Sequence, residues 1–483
     1  MVDLLVIGGG INGAGIARDA AGRGLSVVLV ERGDLGGATS SASSKLIHGG
    51  LRYLEQYEFR LVAEALAERE ILLRTAAHLV WPARFVMPHV PELRPRWMIR
   101  AGLFLYDHLA RRASLPGSHA VRLDAPPFAS GLKPGLRHGF SYSDCRVDDA
   151  RLVVANAIDA AGRGARILPR TECVSARRVD AAWQASLSSG EVLQARALVN
   201  AAGPWVKKVL NERLGQASRD AVRLVKGSHI VVPKLYEGDH AFLLQNTDRR
   251  VVFVIPYGDE HTLIGTTDVV EGGDPAQAVA SDAEVDYLCS AVNRYLARGA
   301  SAQQVVWRFC GVRPLYDDGS SDPSAVTRDY TLRLDDEAGH APVLSVFGGK
   351  ITTYRRLAEQ ALAKLAPYFP GLRPSWTARS ALAGSDFGQS RARMRDAFFA
   401  RYPRLPTPLL RGIFRRHGTR SDAVVGNADL GEDFGGGLSE RELRYFMEHE
   451  WATTAEDVLW RRSMAGLLMS SAQRSRVLEV VGR

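Results

Sequence analysis

Residues 4–31 encode a β-strand, a glycine-rich turn, an α-helix and a second β-strand in unbroken order. Leu4 to Ile7 form a short apolar run, and Gly8, Gly10 and Gly13 follow it with the spacing Gly-x-Gly-x-x-Gly. In such a turn the first glycine permits a sharp bend, the second lets a pyrophosphate approach the backbone, and the third lets the helix pack closely on the sheet. The first N–H groups of the helix are then free to bind phosphate. The pattern predicts a Rossmann-type unit that binds a dinucleotide.

The second strand of this unit ends on an acidic residue. Val27 to Val30 are apolar, and Glu31 follows them at the carboxyl end of the strand. A carboxylate in this position accepts hydrogen bonds from the ribose hydroxyls of an adenosine and disfavours a 2′-phosphate. We therefore expect FAD as the cofactor, with Ile11 and Asn12 at the start of the helix among its contacts.

The length and the cysteine content limit the class of protein. A chain of 483 residues exceeds what one hydrophobic core usually serves, so about two or three domains are expected. No apolar run approaches the roughly 18 residues of a membrane-spanning helix, and a strand that starts at residue 4 leaves no room for a signal peptide, so we expect an intracellular protein. Cys145, Cys173, Cys289 and Cys310 are far apart, which predicts free thiols and no metal site.

The charge balance is basic, with a formal net charge of +9 and a sequence pI of about 9.5. Such a balance suits nucleic acid, an anionic membrane surface or an anionic substrate. No nucleic-acid-binding motif is present, so we expect no nucleic-acid partner. Arginines are concentrated in residues 391–420, where a solvated helix face is favoured over lipid contact. Residues 97–112 combine an aromatic and aliphatic body with a basic end, which leaves a bilayer-interface helix and a core helix equally open.

Two later segments indicate a return to the dinucleotide-binding domain. Residues 197–205 combine an apolar strand with small residues, and residues 343–347 form another apolar strand that runs into a glycine pair and a predicted helix. The free N–H groups at the start of that helix suit the pyrimidine edge of a flavin, where negative charge accumulates on reduction. The predicted cofactor contacts in these two segments are Gly203, Trp205, Gly349, Lys350, Ile351 and Thr352.

The region between these segments has a different pattern. Residues 216–325 contain alternating apolar runs typical of an antiparallel sheet, and the tail from about residue 375 is charged and helical. The predicted fold class is α/β plus α+β, with a Rossmann-type FAD-binding domain assembled from separated segments, a β-rich antiparallel substrate domain and a helical C-terminal cap. The predicted boundaries are 1–75, 145–215 and 326–370 for the FAD-binding domain, 76–144 and 216–325 for the substrate domain, and 371–483 for the cap.

The segment that follows Glu31 is rich in hydrogen-bond donors. Its hydroxyl residues and glycines suit a loop that closes over a flavin, and Arg52 comes next. The predicted cofactor contacts in this segment are Thr39, Ser40, Ser44, Lys45, Leu46, His48 and Gly49.

Motifs spread along nearly the whole chain match one family. They are Gly-Gly-Gly-Ile-Asn-Gly-Ala-Gly at 8–15, Ser-Ser-Lys-Leu-Ile-His-Gly-Gly-Leu-Arg-Tyr-Leu-Glu at 43–55, Tyr-Ser-Asp-Cys at 142–145, Val-Asp-Asp-Ala-Arg-Leu at 147–152, Lys-Gly-Ser-His at 226–229, Ile-Gly-Thr-Thr-Asp at 264–268, Gly-Val-Arg-Pro-Leu at 311–315, Phe-Gly-Gly-Lys at 347–350 and Asp-Leu-Gly-Glu-Asp-Phe-Gly at 429–435. With these motifs the chain resembles the FAD-dependent glycerol-3-phosphate dehydrogenases, especially the aerobic respiratory form. The glycine pair at residues 36–37 departs from the bulkier or cysteine-containing residues expected in that family.

The resemblance implies oxidation of sn-glycerol 3-phosphate at C2 to dihydroxyacetone phosphate, with FAD as hydride acceptor and a membrane quinone as the next acceptor. His229 is the first choice of proton acceptor, and Arg313 is assigned to the charge that develops on the substrate oxygen. The residues assigned to the phosphate dianion are Arg52, Tyr53, Arg328 and Lys350.

The resemblance also implies peripheral attachment of a homodimer to an anionic lipid surface, at the cytoplasmic face of the inner membrane. Three other functions stay open. A glycerol-3-phosphate oxidase would pass electrons to oxygen, an FAD-dependent amino-acid oxidase would need a carboxylate clamp, and a non-catalytic flavin-binding sensor would not need His229, Arg313 or Lys350.

Overall fold

The computed structural model describes residues 1–92, 94–216, 222–248, 250–317, 329–336, 339–388 and 390–482. Its strands are β1 (Val2–Ile7), β2 (Val27–Val30), β3 (Leu46–Ile47), β4 (Val80–Pro88), β5 (His119–Arg122), β6 (His138–Val147), β7 (Arg166–Leu168), β8 (Cys173–Val179), β9 (Ala182–Leu187), β10 (Val192–Asn200), β11 (Val222–Pro233), β12 (Ala241–Gln245), β13 (Val251–Tyr257), β14 (His261–Gly265), β15 (Val269–Val270), β16 (Trp307–Tyr316), β17 (Thr331–Asp335), β18 (Val343–Phe347), β19 (Asp433–Gly435) and β20 (Leu438–Ser439). Its α-helices are α1 (Ile11–Gly22), α2 (Phe59–Thr75), α3 (Arg96–His108), α4 (Asp149–Ala161), α5 (Val206–Lys208), α6 (Asp282–Asn293), α7 (Tyr354–Leu365), α8 (Arg391–Arg401), α9 (Thr407–His417), α10 (Ser421–Val425), α11 (Glu440–His449) and α12 (Ser471–Val481).

The first sheet contains the predicted dinucleotide-binding unit. Its strand order is β17-β18-β10-β1-β2-β7, and the β8–β9 hairpin joins it at β10. Strands β18, β10, β1, β2 and β7 are parallel, and β1 and β2 read as continuous apolar runs because helices α1, α4 and α7 and the chain on the opposite face bury them on both sides. Ile7 pairs with Val30 on one side and Asn200 on the other, so the carboxyl ends of β2, β1 and β10 meet at one edge of the sheet.

The second sheet is antiparallel apart from the β12–β4 pair, and its order is β15-β11-β14-β13-β12-β4-β6-β3. Strand β16 pairs with β11 and sets Phe309 directly opposite His229 and Arg313 opposite Val225. Since side chains alternate between the faces of a strand, His229, Phe309 and Arg313 all lie on one face of this sheet. The other face packs against α6.

The two sheets agree with the predicted fold class, and the helical C-terminal region completes it. Strand β3 and residues 145–147 lie inside the predicted boundaries of the FAD-binding domain but pair within the second sheet, because β6 continues to Val147 and pairs with β3 along its last residues. The predicted boundary between residues 144 and 145 therefore falls within strand β6.

The C-terminal region is attached to the first sheet by buried ion pairs. Arg462 is 0% exposed and donates to both carboxylate oxygens of Asp34 at 2.7 Å. Arg151 on α4 donates from Nη2 to Oε1 of Glu450 at 3.0 Å. Of the arginines concentrated in residues 391–420, Arg416 is buried against Glu442, whereas those that face solvent are Arg393, Arg395, Arg401, Arg404, Arg411 and Arg415.

Helix α3 accounts for most of residues 97–112, and it has one buried face and one exposed face. Ile99, Leu103 and Tyr106 are buried, whereas Trp97 is 71% exposed and Phe104 is 56% exposed. Within the described ranges, no helix combines the length and the apolar character needed to cross a bilayer.

Candidate active site

A cavity of about 1310 Å³ lies between the two sheets and reaches the C-terminal region. The predicted site residues that line it are Gly8, Gly10, Ile11, Asn12, Glu31, Thr39, Ser40, Ser44, Leu46, His48, Arg52, Tyr53, Gly203, Trp205, His229, Arg313, Gly349, Lys350, Ile351 and Thr352. Residues that lie more than 300 positions apart in the sequence thus share one chamber, because the carboxyl ends of the parallel strands and the β16 face of the second sheet converge there.

The glycine turn has the close approaches that a phosphate-binding loop needs. A Cβ atom on Gly13 would lie 1.9 Å from the carbonyl oxygen of Gly8, so only glycine lets α1 pack this close to β1. A Cβ atom on Gly10 would meet only the hydroxyl of Ser40, at 3.1 Å, and would project into the cavity. The Ser40 hydroxyl accepts the N–H of Ile11 at 3.0 Å, which ties the following loop to the start of α1. The residues present therefore fit a dinucleotide pyrophosphate.

The carboxylate of Glu31 is fixed by the backbone of two glycines. Its oxygens accept the N–H of Gly9 at 2.7 Å and the N–H of Gly33 at 2.8 Å. Burial raises the pKa of Glu31, and the two backbone hydrogen bonds oppose that shift. The carboxylate is thereby held at the end of β2 in the lining of the cavity, where it suits the ribose of an adenosine.

The other end of the chamber is formed by the turn between β18 and α7. Gly348 and Gly349 have φ angles of +77° and +96°, and the Gly348 carbonyl accepts Nδ2 of Asn12 at 3.2 Å. Helix α7 begins at Tyr354, so the glycine pair precedes the helix by a short turn rather than opening it. The hydroxyl of Thr352 accepts the N–H of His48 at 3.3 Å. The residues of this turn line the cavity, and the sequence assigned them to the pyrimidine edge of a flavin.

His229 lies on β11 with its ring against the cavity and is 3% exposed. Its Nε2 is 2.9 Å from Oγ of Ser44, and its ring stacks on Phe309. A Cβ atom on Gly265 would lie 2.0 Å from the imidazole, so the ring fills the space that this glycine leaves. Burial is the main cause that lowers the pKa of His229 to about 3, and the charges of Arg313 and Lys45 lower it further. The imidazole is therefore neutral at physiological pH and can accept a proton.

Arg313 is held by the segment that follows β14. Its Nη2 donates to Oγ1 of Thr266 at 3.1 Å and to the carbonyl of Thr267 at 3.0 Å, and its Nη1 forms an ion pair with Asp268. Arg52 donates to the other carboxylate oxygen of Asp268 at 3.3 Å. One carboxylate thus holds two guanidinium groups at the cavity wall, in the fixed orientation that suits binding of an anion.

Lys350 and Tyr53 complete this cationic wall. The ammonium of Lys350 lies 3.8 Å from the centre of the Tyr53 ring, a cation–π contact between two residues that line the cavity. Lys350, Arg52 and Arg313 therefore bring positive charge to the lining of the chamber, and the charge of Arg313 acts on His229.

Comparison with known proteins agrees with this geometry. The family described as FAD dependent oxidoreductase matches residues 3–355, and the C-terminal domain of alpha-glycerophosphate oxidase matches residues 375–482. A glycerol-3-phosphate dehydrogenase of Pseudomonas aeruginosa is 56% identical, over 98% of this chain and 94% of that protein. The aerobic glycerol-3-phosphate dehydrogenase of Escherichia coli is 53% identical, over 98% of this chain and 96% of that protein. The chain belongs to the FAD-dependent glycerol-3-phosphate dehydrogenases.

A further relative and a solved structure are also similar to this chain along nearly its whole length. The D-erythritol 1-phosphate dehydrogenase of Brucella abortus is 50% identical, over 99% of this chain and 97% of that protein. The crystal structure of the glycerol-3-phosphate dehydrogenase from Bacillus halodurans complexed with FAD has a TM-score of 0.75 and 25% identity, and it covers 100% of this chain and 94% of that one. FAD is the cofactor of this family of dehydrogenases, as the sequence predicted.

A few predicted site residues of this dehydrogenase lie away from the cavity. The ammonium of Lys45 is buried in an ion pair with Oδ1 of Asp149 at 2.6 Å, which raises its pKa, and it does not line the chamber. The N–H of Gly49 donates to the Tyr106 hydroxyl at 2.8 Å, behind the cavity wall, and Gly13 contributes through helix packing. Arg328 lies outside the described residues.

Sequence reasoning missed the residues beside Glu31 at the adenosine end of the dehydrogenase cavity. Residues 170–173 follow β7 at the same edge of the sheet as Glu31 and line the chamber there. Arg32 lies over the ring of Trp205 at 4.0 Å and closes the opposite side. The signal that could have found them is the short β7 strand, whose carboxyl end must lie next to that of β2 if the two strands pair in parallel.

Proposed function

We propose that this chain oxidises sn-glycerol 3-phosphate at C2 to dihydroxyacetone phosphate. The observation that carries the proposal is the meeting, in one cavity, of a dinucleotide cradle, a neutral buried histidine and a wall of cations. A phosphate dianion is the kind of group that such a wall binds, and a secondary alcohol is the kind of group that needs a proton acceptor beside a hydride acceptor.

The glycine turn of residues 8–13, Glu31 and the turn at residues 348–352 would hold FAD. Bound FAD would supply the acceptor for the hydride that leaves C2. Arg52, Tyr53 and Lys350 bind the phosphate of the substrate and thereby orient C2 in the cavity. Arg328 remains assigned to the phosphate on the family resemblance alone.

His229 accepts the proton of the C2 hydroxyl as the carbon–oxygen double bond forms. The Arg313 guanidinium stabilises the negative charge that develops on that oxygen, which lowers the barrier without any proton leaving the arginine. Because Asp268 and the Thr266–Thr267 segment fix the guanidinium in advance, little reorganisation is needed during the reaction. Arg313 and His229 thus have complementary tasks on the same oxygen atom.

The electrons then pass to a membrane quinone, and the chain acts as a homodimer at the cytoplasmic face of the inner membrane. Helix α3 supports lipid attachment, since it presents Trp97, Met98 and Phe104 to solvent beside the exposed Arg96 and Arg100. An apolar strip flanked by arginines suits the boundary between acyl chains and anionic headgroups. The similarity of residues 375–482 to the C-terminal domain of an oxidase keeps oxygen as the competing acceptor.

A second candidate substrate is D-erythritol 1-phosphate. The relative from Brucella abortus that carries that name matches this chain almost from end to end. Both substrates present a phosphate monoester and a secondary alcohol, so the same cationic wall and the same histidine would serve either.

Anaerobic titration of the purified flavoprotein tests the proposal. Addition of sn-glycerol 3-phosphate should bleach the flavin absorbance within the mixing time, whereas glycerol, which lacks the phosphate, and a D-amino acid should leave it oxidised. Bleaching by D-erythritol 1-phosphate at lower concentration than by sn-glycerol 3-phosphate would select the second candidate. An unchanged spectrum with both phosphate esters would overturn the proposed reaction.

A further inference from the structure

Glu284 lies on α6, which packs on the face of the second sheet opposite His229, and it is 7% exposed. Its Oε1 accepts two hydroxyl groups, Oγ of Ser228 and Oγ1 of Thr267, each at 2.8 Å. Thr267 also accepts the N–H of Ser228 at 2.9 Å, so the three residues form a closed triangle. Ser228 precedes His229 on β11, and Thr267 lies in the segment that holds Arg313.

The second oxygen of this carboxylate anchors it to its own helix. Oε2 accepts the N–H of Ser281 at 3.0 Å and its hydroxyl at 2.9 Å, and it also accepts Nζ of Lys226 at 3.1 Å. The N–H of Glu284 donates to Oγ of Ser281 at 3.3 Å, which completes a capping box at the start of α6. Burial acts to raise the pKa of Glu284, but the hydrogen bonds from Ser281, Thr267, Ser228 and Lys226 outweigh it and lower the pKa to about 2. Glu284 therefore stays ionised over the whole working pH range.

The position of Ser228 on its strand connects Glu284 to the strand that carries His229. Adjacent side chains on a strand point to opposite faces, so Ser228 faces Glu284 on α6 while His229 faces the cavity. The backbone carbonyl of Thr267 accepts Arg313 Nη2, and the side chain of the same residue is bonded to Glu284. One buried carboxylate is thus a single hydrogen bond away from both of the segments that carry the proposed catalytic pair.

We propose that Glu284 is a positioning residue for the oxidation step: it fixes the spacing between the strand that bears His229 and the segment that orients Arg313. This inference rests on the proposed function. Glu284 does not line the cavity, and its effect passes through Ser228 and Thr267. A displacement of about 1 Å at either catalytic group is sufficient to slow a reaction by about 100-fold.

A purely structural role would affect the stability of α6 but not the chemical step in protein that remains folded and loaded with flavin. The test therefore measures the rate of anaerobic flavin reduction at saturating phosphate ester in stopped flow, together with the substrate concentration at half-maximal rate, the flavin content and the Tm. Glu284→Gln preserves the side-chain volume but removes the charge and one acceptor. Asp286→Asn removes an exposed carboxylate from the same helix and serves as the matched control.

We expect Glu284→Gln to slow reduction about 10- to 100-fold, with substrate affinity within about 3-fold and flavin content unchanged, whereas Asp286→Asn should behave as wild type. Thr267→Val removes one hydroxyl from the triangle without touching the carboxylate and should slow reduction in the same direction, so it tests the inference even where Glu284→Gln yields no folded protein. The combined variant should be no slower than Glu284→Gln alone, because both changes break the same connection.

Different results of this experiment would overturn the proposed function and the positioning role of Glu284. A wild-type flavin that neither phosphate ester reduces would overturn the proposed function, and the positioning role with it. A reducible wild type, together with folded Glu284→Gln or Thr267→Val protein that reduces its flavin at the wild-type rate, would overturn the positioning role alone. The positioning role would also be overturned if the two substitutions slow the step by independent, multiplying factors.

Discussion

The imidazole of His229 lies flat against the ring of Phe309, with the ring centroids 4.9 Å apart and the planes inclined by 10°. The series of rings continues through Trp307, 4.5 Å from Phe309, to Trp460 of the C-terminal region, 4.9 Å from Trp307. The C-terminal region therefore contacts the proposed proton acceptor through a row of aromatic side chains.

His229 should be essential for turnover but not for cofactor retention. His229→Asn removes the proton acceptor from the cavity without placing a charge there, and the expected loss in kcat is about 100- to 10,000-fold. Flavin absorbance and steady-state kinetics measure the two properties on the same sample. His138→Ala, on an exposed position of β6, is the matched control and should retain wild-type kcat. Substantial activity in His229→Asn would assign the proton to another group.

The pH dependence of kcat should lack a limb at the ordinary histidine pKa. Burial, and then the charges of Arg313 and Lys45, lower the pKa of His229 to about 3, so its neutral form persists far below the value of about 6.5 that an exposed histidine shows. At saturating substrate, kcat should therefore stay level as the pH falls from 8 to about 6. Halving of kcat near pH 6.5 would show that the acceptor titrates as an exposed imidazole.

Substitutions in the glycine turn should separate cofactor binding from folding. Gly10→Ala adds a methyl group that meets only the Ser40 hydroxyl and occupies the space of the pyrophosphate, so the protein should fold but be purified without flavin. Gly13→Ala drives a methyl group into the Gly8 carbonyl and should lower the Tm of the apoprotein as well. Flavin content and thermal denaturation of both apoproteins provide the check. A yellow Gly10→Ala protein would contradict the assigned phosphate position.

The exposed side of α3 should govern attachment to lipid. Trp97→Asp combined with Phe104→Asp removes the two most exposed aromatic rings of the helix, and the protein should no longer float with vesicles that contain anionic lipid. Val192→Asp, at a 56% exposed valine in the first sheet, is the control and should float as wild type does. Flotation of wild-type protein should weaken as salt is raised, because the flanking arginines contribute by charge. Equal flotation of both variants would exclude α3 as the contact.

Arg151 and Glu450 should be a principal link between the C-terminal region and the first sheet. Both are buried, so Arg151→Met would remove the guanidinium partner of a buried carboxylate whose other neighbour is Nδ1 of His417 at 3.6 Å, at an expected cost of about 3 to 5 kcal/mol. The midpoint of urea unfolding should fall accordingly. Arg166→Met breaks an exposed pair with Glu191 and should leave that midpoint almost unchanged, because water screens such pairs. Equal midpoints for the two variants would mean that Glu450 gains another partner or a proton.

The fold class could be predicted because local patterns specify it. The apolar runs of β1 and β2 and the glycines between them are contiguous, so their pairing needs no distant information. The end of strand β6, in the second sheet, could not be predicted in the same way. Residues 145–147 continue β6 because they pair with β4 and also with β3, about 100 positions earlier in the chain, and no local pattern reveals those partners.

The same distinction applies to the candidate site. The sequence motifs predicted that His229, Arg313 and the glycine turns belong to the site, and the roles of these residues remain predictions. The position of Lys45 depended on Asp149, 104 residues away, whose carboxylate draws the ammonium away from the cavity. The contribution of Asp268 as the shared partner of Arg52 and Arg313 also required three separate segments to meet. Burial and charge pairing are properties of the assembled chain.

The contact between Asn12 and Gly348 has a consequence for folding of the protein during translation. These residues are 336 positions apart, yet they meet in the wall of one chamber. At a translation rate of about 5 to 20 residues per second, the first helix waits on the order of 20 to 70 seconds before its partner turn leaves the ribosome. A nascent chain therefore cannot enclose its cofactor until most of the polypeptide has emerged from the ribosome. A truncated mRNA that ends before that turn yields a protein without a complete chamber.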